Sequence, residues 1–304
     1  MDRAASALEG TGLATRREWA GAAARALRGA WWFARRKPLG AAGALIILAL
    51  LVMTVFAERI APFDYDETIR GARLTPPSVK HWLGTDNLGR DMWSRIVYGA
   101  RVSVTVGFAT ILLGTLIAAV IGVSSGYFGG LYDLATQRVV DAWMSFPYLV
   151  IILSVMAVLG PGLANVILAL SIIIAANSSR VLRGATLQVS QHAYVEAARA
   201  MGCGHARIIV RHILPNVTAP MIILATIGLG GVILAESALS FLGFGVPPPY
   251  PSWGGMLSGS GRTYMFRAPW MAVWPGVAIS LAVFGFNMLG DALRDVLDPR
   301  LRGS

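Results

Sequence analysis

The sequence predicts an all-α, polytopic membrane protein with six transmembrane helices and both termini in the cytoplasm. Two observations carry the membrane assignment: 55% of the 304 residues are hydrophobic with only 14% charged, and the mean hydropathy of +0.61 is far from the balance of a soluble domain. A third sets the orientation, because arginine-rich segments and charge-balanced loops fall on opposite sides of successive apolar runs. The formal net charge of +10 therefore reads as membrane orientation and not as nucleic-acid binding. Cys203 stands alone and cannot form an internal disulfide, and His81, His192, His205 and His212 have no zinc spacing.

Residues 1–38 hold eight Arg or Lys against three Asp or Glu and end in WWFARRKP, which suits a cytoplasmic segment with an interfacial helix. The membrane-embedded body, 39–302, starts with the span Leu39 to Ala57, which as a helix reaches roughly 28 Å. It is retained, because no small-residue cleavage site directly follows it. An external loop over 58–100 balances six basic with six acidic residues. The second span is expected from Val102 to Val123, followed by the glycine-rich turn SSGYFGG. The third runs from Leu131 to Leu159, with Asp133, Arg138 and Asp141 near its start, so that the part after Ser145 lies in lipid. Gly160, Pro161 and Gly162 break the chain before the fourth span, Leu163 to Val181, which leaves the membrane at NSSR.

Next comes a cytoplasmic loop, 183–215, in a region that carries five arginines and one glutamate between Arg180 and His212. The fifth span, Val217 to Phe241, leads to a proline-rich external loop over 243–269, and the sixth, Trp270 to Leu289, to a charged amphipathic tail. No run resembles a P-loop or a dinucleotide fingerprint, so any nucleotide hydrolysis falls to another chain.

The polar segment EAARAMGCGHARIIVRHILPN, Glu196 to Asn216, is too long to be a mere turn between two spans. Its composition favours a helix, a bend at Gly202 and Gly204, and a second helix. Ala198 and Gly202, four apart, share one face and allow close approach of a neighbour. Glu196 stands near the helix N-terminus, where a carboxylate is favoured, and three residues before Arg199, within reach of a surface ion pair. Arg207 and Arg211 make a basic face suited to lipid headgroups. Pro215 is expected to close the segment and start the fifth span. The segment thus reads as a rigid platform joined to two spans.

These residues also carry a resemblance. Glu196, Ala197 and Ala198, with Gly202 four residues on, resemble the EAA motif of permease subunits of bacterial ABC importers, and His212 to Asn216, HILPN, is similar to the version in the dipeptide, oligopeptide and nickel group. Gly204 departs from the Ser or other residue common there, which implies a looser bend. HWLGTDNLGRDMWSRIVYGARVSVTVG (from His81), AESALSFLGFGVPPPYPSWGGML (from Ala235) and DALRDVLDPRLR (from Asp291) resemble the second permease subunit of that group. The resemblance implies a type I (MetI-like) importer permease fold in the bacterial inner membrane. It implies no catalytic residue and no cofactor in this chain. A homologous second permease would complete the pore, two ATPase subunits would bind ATP and Mg2+, and an external substrate-binding protein would deliver a peptide. Nickel chelates and glutathione are the alternative cargoes. Within the motif, Glu196, Ala197, Ala198, Arg199, Gly202, Gly204 and Arg207 would meet an ATPase, with His212, Pro215 and Asn216 as a hinge.

Other polar residues have weaker assignments. Asp86, Arg90, Asp91 and Arg95 either tie the outer loop together, the favoured reading, or contact the binding protein. Trp253 is expected to anchor at the membrane interface. Glu236 is either functional or a hydrated residue near the outer surface. Asn177, Ser178 and Asn287 line the pathway or, more simply, glue helices together. An ion-coupled secondary transporter would need its own ion site and commonly an inverted repeat, and no convincing repeat is present. An intramembrane enzyme would need a nucleophile and base in the spans, where none of the histidines lies.

Overall fold

The computed structural model describes residues 31 and 33–297. The expected N-terminal tail and the last residues of the C-terminal tail lie outside them. Five helices are long and apolar enough to cross a membrane, and a bent pair supplies the sixth crossing.

Helix α1, Pro38–Val55, begins with a proline in its first turn, where the missing amide proton has no helical acceptor to serve. Helix α2, Met92–Phe128, is 37 residues long, about 55 Å at 1.5 Å per residue and so longer than a bilayer core. Its first turns therefore fall within the external loop expected over 58–100. Asp91 fixes that start, because Oδ2 accepts from the Ser94 amide at 2.9 Å and satisfies an end donor of the helix. At the other end, most of the SSGYFGG segment remains helical, up to Phe128.

The single third span expected over 131–159 is instead two helices, α3 (Gly130–Met144) and α4 (Tyr148–Leu159), bent by 89°. Pro147 lies at the break; it has no amide proton and keeps Phe146 out of helical geometry. Helix α5, Leu163–Ser190, runs on past Val181, so the first part of the expected cytoplasmic loop is helix. After α6, Ala193–Ala200, helix α7 extends from His205 to Phe241 without a stop at Pro215. Residues Ile209–Ile213 form a π-turn in which the Leu214 amide reaches back five residues to the Ile209 carbonyl. That wider turn accommodates the proline with no break. Two short helices, Trp253–Leu257 and Ser260–Tyr264, precede α8, Trp270–Leu297.

The core is built around α2 and α5, with α7 packed on both and on α8, and α1 lying against α8 and α2. Small residues set these distances, because lipid gives helices no hydrophobic reason to associate and close backbone contact must supply the attraction. A Cβ on Gly122 would lie 2.4 Å from the Ser179 carbonyl oxygen, and one on Gly126 2.8 Å from that of Arg183. Between α1 and α8, a Cβ on Gly43 would lie 2.6 Å from the Gly285 carbonyl oxygen. Lys37 meets Asp295 at 2.5 Å, which puts the start of α1 and the end of α8 on one side. Counting crossings from there, the ends of α2 and α5, α6 and the start of α7 share that side.

Candidate functional site

Helix α6 lies across the ends of three spans. Val195 and Ala198 are its buried face, and they pack with Val123 and Tyr127 of α2, Val189 of α5, and Ile208, Ile213 and Val217 of α7. Glu196, Ala197, Arg199 and Ala200 are exposed. An eight-residue helix is too short to stand alone in water, so its position depends on those apolar contacts.

The end of α6 corrects the expected role of Gly202. Its amide donates to the Arg199 carbonyl at 2.9 Å and the Cys203 amide to the Ala198 carbonyl at 3.1 Å, the paired bonds of a Schellman termination. Gly202 takes φ +77° there, and a Cβ on it would meet no atom within 4 Å. It lies beyond the face it was expected to share with Ala198, and left-handed backbone is what the position demands. Gly204 has φ −64°, open to any residue, and precedes the first turn of α7.

Aromatic and polar contacts join the platform to the spans. The Tyr127 hydroxyl lies 2.9 Å from His205 Nδ1, and the Arg199 guanidinium sits 5.1 Å from the centre of the Tyr127 ring. Arg199 is thus turned toward α2, and among the described residues Glu196 makes no ion pair with it. His212 lies beside Tyr194, with ring centroids 6.3 Å apart, and the Asn216 side chain donates to the His212 carbonyl at 2.7 Å. Pro215, Arg207 and Arg211 are exposed. The hinge expected at His212, Pro215 and Asn216 is therefore continuous helix containing the π-turn.

Contacts invisible in the sequence extend this assembly. Asp133 of α3 accepts from Arg183 Nε of α5 at 2.5 Å, with a second Arg183 bond and one from Ser125 of α2. Asp141 pairs with Arg180 of α5 and, 3.6 Å away, with Arg138. Helix α3 is thereby clipped to α5 along its polar face. The sequence signal is a pair of acids two turns apart on one helix, Asp133 and Asp141, but their α5 partners lie 50 and 39 residues on.

At the other end of the molecule, Asp86 gathers the outer loop. Its Oδ2 is 2.6 Å from Arg90 Nε and 3.7 Å from Arg95 Nε, and Arg95 also donates to the Tyr65 carbonyl at 2.9 Å. Asp91, besides capping α2, is 3.0 Å from His81 Nδ1. The four expected residues thus fall into two clusters within the loop, Asp86 with Arg90 and Arg95, and Asp91 with His81 and Ser94. Trp253 is not an interfacial anchor: it is 0% exposed, and its Nε1 donates to the Ile96 carbonyl at 3.0 Å. Gly99 makes room for that indole, since a Cβ there would lie 2.8 Å from it. Glu236 is 1% exposed, buried and not at the surface; Ser103 of α2 donates to it at 3.1 Å and Ser240 at 2.7 Å. Asn287 faces Gly230 where α7 meets α8, Ser178 is buried, and Asn177 is exposed with its amide on the Ile173 carbonyl.

Comparison with known proteins converges on one family. The family described as binding-protein-dependent transport system inner membrane component matches residues 111–303, and the N-terminal TM domain of oligopeptide transport permease C matches residues 26–77. The chain is similar to the dipeptide transport system permease protein DppC of Alkalihalophilus pseudofirmus, 40% identical over 268 residues that make up 88% of each chain. It is also similar to the glutathione transport system permease protein GsiD of Escherichia coli, 40% identical over 279 residues and 90% of each chain. A solved chain from inward-facing conformations of the MetNI methionine ABC transporter matches with a TM-score of 0.54 and 19% identity, covering 68% of this chain and 97% of that one. The last likeness concerns the fold, which is that of type I importer permeases. By its family match and its relatives, the chain belongs to the binding-protein-dependent transport system inner membrane components, multi-pass permease subunits of bacterial ABC importers.

Proposed function

We propose that this permease forms half of the pathway of an ATP-driven peptide importer and that α6 is where a cytoplasmic ATPase takes hold. One observation carries the reading: α6 exposes Glu196, Ala197, Arg199 and Ala200 while its opposite face is embedded among the ends of α2, α5 and α7. A protein that grips the exposed face and moves cannot displace α6 without moving three spans, because packed interfaces shift as units. The pathway would be completed by a homologous second permease. Two ATPase subunits would bind ATP and Mg2+, and an external binding protein would deliver cargo. Peptide is the cargo class supported by the relatives, named as dipeptide and glutathione transport permeases.

The test is co-purification in mild detergent. Ala197→Trp adds bulk to the exposed face without touching the packed one. It should shed the ATPases and leave the second permease bound, whereas Glu196→Ala should weaken ATPase retention without abolishing it. If Ala197→Trp retains the ATPases in full, α6 is not their seat. If the unaltered chain emerges alone or with only copies of itself, the importer reading fails.

A further inference from the structure

On the external side, the outer loop, the turn after α4 and the segment following α7 enclose a cavity of about 500 Å³. Its charged lining consists of Asp86, Arg90 and Arg95, and their side chains are only 4%, 14% and 9% exposed. Two guanidinium groups therefore share one carboxylate. That carboxylate is also occupied by backbone, since its Oδ1 accepts from the amides of Leu88 and Arg90 at 2.8 and 2.9 Å. Arg95 has one donor on the Tyr65 carbonyl. Among the described residues, no hydrogen bond uses the two terminal nitrogens of Arg90. Asp91 is turned to His81 and Ser94, and Asp66, the other acid whose field reaches Arg95, is exposed and does not line the cavity. The cavity thus keeps one positive charge largely away from water and without an anion of its own.

A charge held that way is costly unless an anion completes it. Guanidinium suits a carboxylate in particular, because its planar fork can donate two parallel bonds. The remaining wall combines apolar and hydroxyl groups, among them Pro247, Pro249, Tyr250, Met271, Ser240 and Ser258. Such a wall fits an amphipathic molecule better than an inorganic ion, and the volume falls within the roughly 300–1,000 Å³ of small-molecule sites. We propose that this cavity is an external peptide subsite in which Arg90 and Arg95 bind the C-terminal carboxylate of a short peptide. The proposal rests on the peptide-import reading above. It adds a place where the permease itself holds cargo before passage.

The experiment compares tritiated trialanine with trialanine amide, binding to the complete detergent-solubilised complex with no binding protein added. The free acid should bind, and the amide should compete at least tenfold less well. Arg90→Gln should weaken binding at least tenfold. Ser258→Phe, which fills the cavity and leaves the Asp86 network intact, should abolish it. The proposal is overturned if acid and amide compete equally, if no trialanine binds, or if Ser258→Phe leaves binding unchanged. Uptake by the full transporter with its binding protein separates the two levels of inference. Import of trialanine without an acid preference at the permease defeats the subsite alone, whereas failure to import any peptide defeats the cargo reading itself.

Discussion

The Tyr127 hydroxyl and the His205 ring, 2.9 Å apart, join the last turn of α2 to the first turn of α7, with Arg199 of α6 stacked over the same tyrosine. Tyr127 is therefore the residue at which α2, the platform and α7 meet. Replacing it with Phe keeps the ring that Arg199 covers and removes the hydrogen bond, a net stability loss of about 0.5–1.5 kcal/mol. The complex should still assemble. Peptide imported per ATP hydrolysed in proteoliposomes should fall, because the platform can then shift without carrying α2. An unchanged ratio would show that the apolar contacts of Val195 and Ala198 alone transmit the motion.

The clip between Asp133 and Arg183 makes a second prediction. A bidentate, charge-assisted pair at this partly exposed position contributes about 1–3 kcal/mol. Asp133→Asn should lower the melting temperature of the purified chain, and Arg183→Gln should do the same. The exchanged pair, Asp133→Arg with Arg183→Asp, should recover part of the loss. No recovery in the exchange would mean that Ser125, which donates to Asp133 and accepts from Gln137, matters more than the pairing of charges.

Much of this architecture is legible in the sequence, and the illegible parts share a cause. Hydropathy locates where a helix meets lipid, so the apolar runs and their arginine bias predict six crossings and their direction. It does not locate where a helix ends. The extensions of α2 to Met92 and of α5 to Ser190 come from capping and packing outside the apolar run, as with Asp91 and Ser94. Glycine in a strongly apolar helix reads locally as a weakness, yet Gly122 and Gly126 are the surfaces on which α2 meets α5. Their role depends on a partner some sixty residues away. Trp253 is illegible for a related reason: an indole beside prolines in an outer loop resembles an interfacial anchor, and only the Ile96 carbonyl and the bare Gly99 reveal the slot it fills.

That slot can be tested from either side. Gly99→Ala places a methyl carbon 2.8 Å from the Trp253 ring, and overpacking of this kind costs about 1–3 kcal/mol. Trp253→Phe removes bulk and leaves the Ile96 carbonyl without its side-chain donor. The two changes together should be less harmful than the sum of each, since the smaller ring makes room for the methyl group. Thermal unfolding of the four proteins decides it: strict additivity would mean that the two residues do not share one packing site.

Gly202 and Gly204 stand two residues apart in the same bend, but their backbones make opposite demands. At Gly202, φ of +77° lies in the left-handed region, where a Cβ costs roughly 1–2 kcal/mol. At Gly204, φ of −64° is ordinary, so Ala there carries no left-handed penalty, and its smaller unfolded-state freedom is offset by the weaker preference for Ala at a helix N-cap. Neither position crowds a neighbour, since a Cβ at either would meet no atom within 4 Å, so packing does not separate them and backbone conformation does. Gly202→Ala should therefore loosen the end of α6, seen as faster proteolytic cleavage near Cys203, and weaken retention of ATPase partners. Gly204→Ala should leave that cleavage nearly unchanged and preserve retention. If both substitutions behave alike, the left-handed turn is not what holds α6 in place, and burial of Val195 and Ala198 must do so unaided.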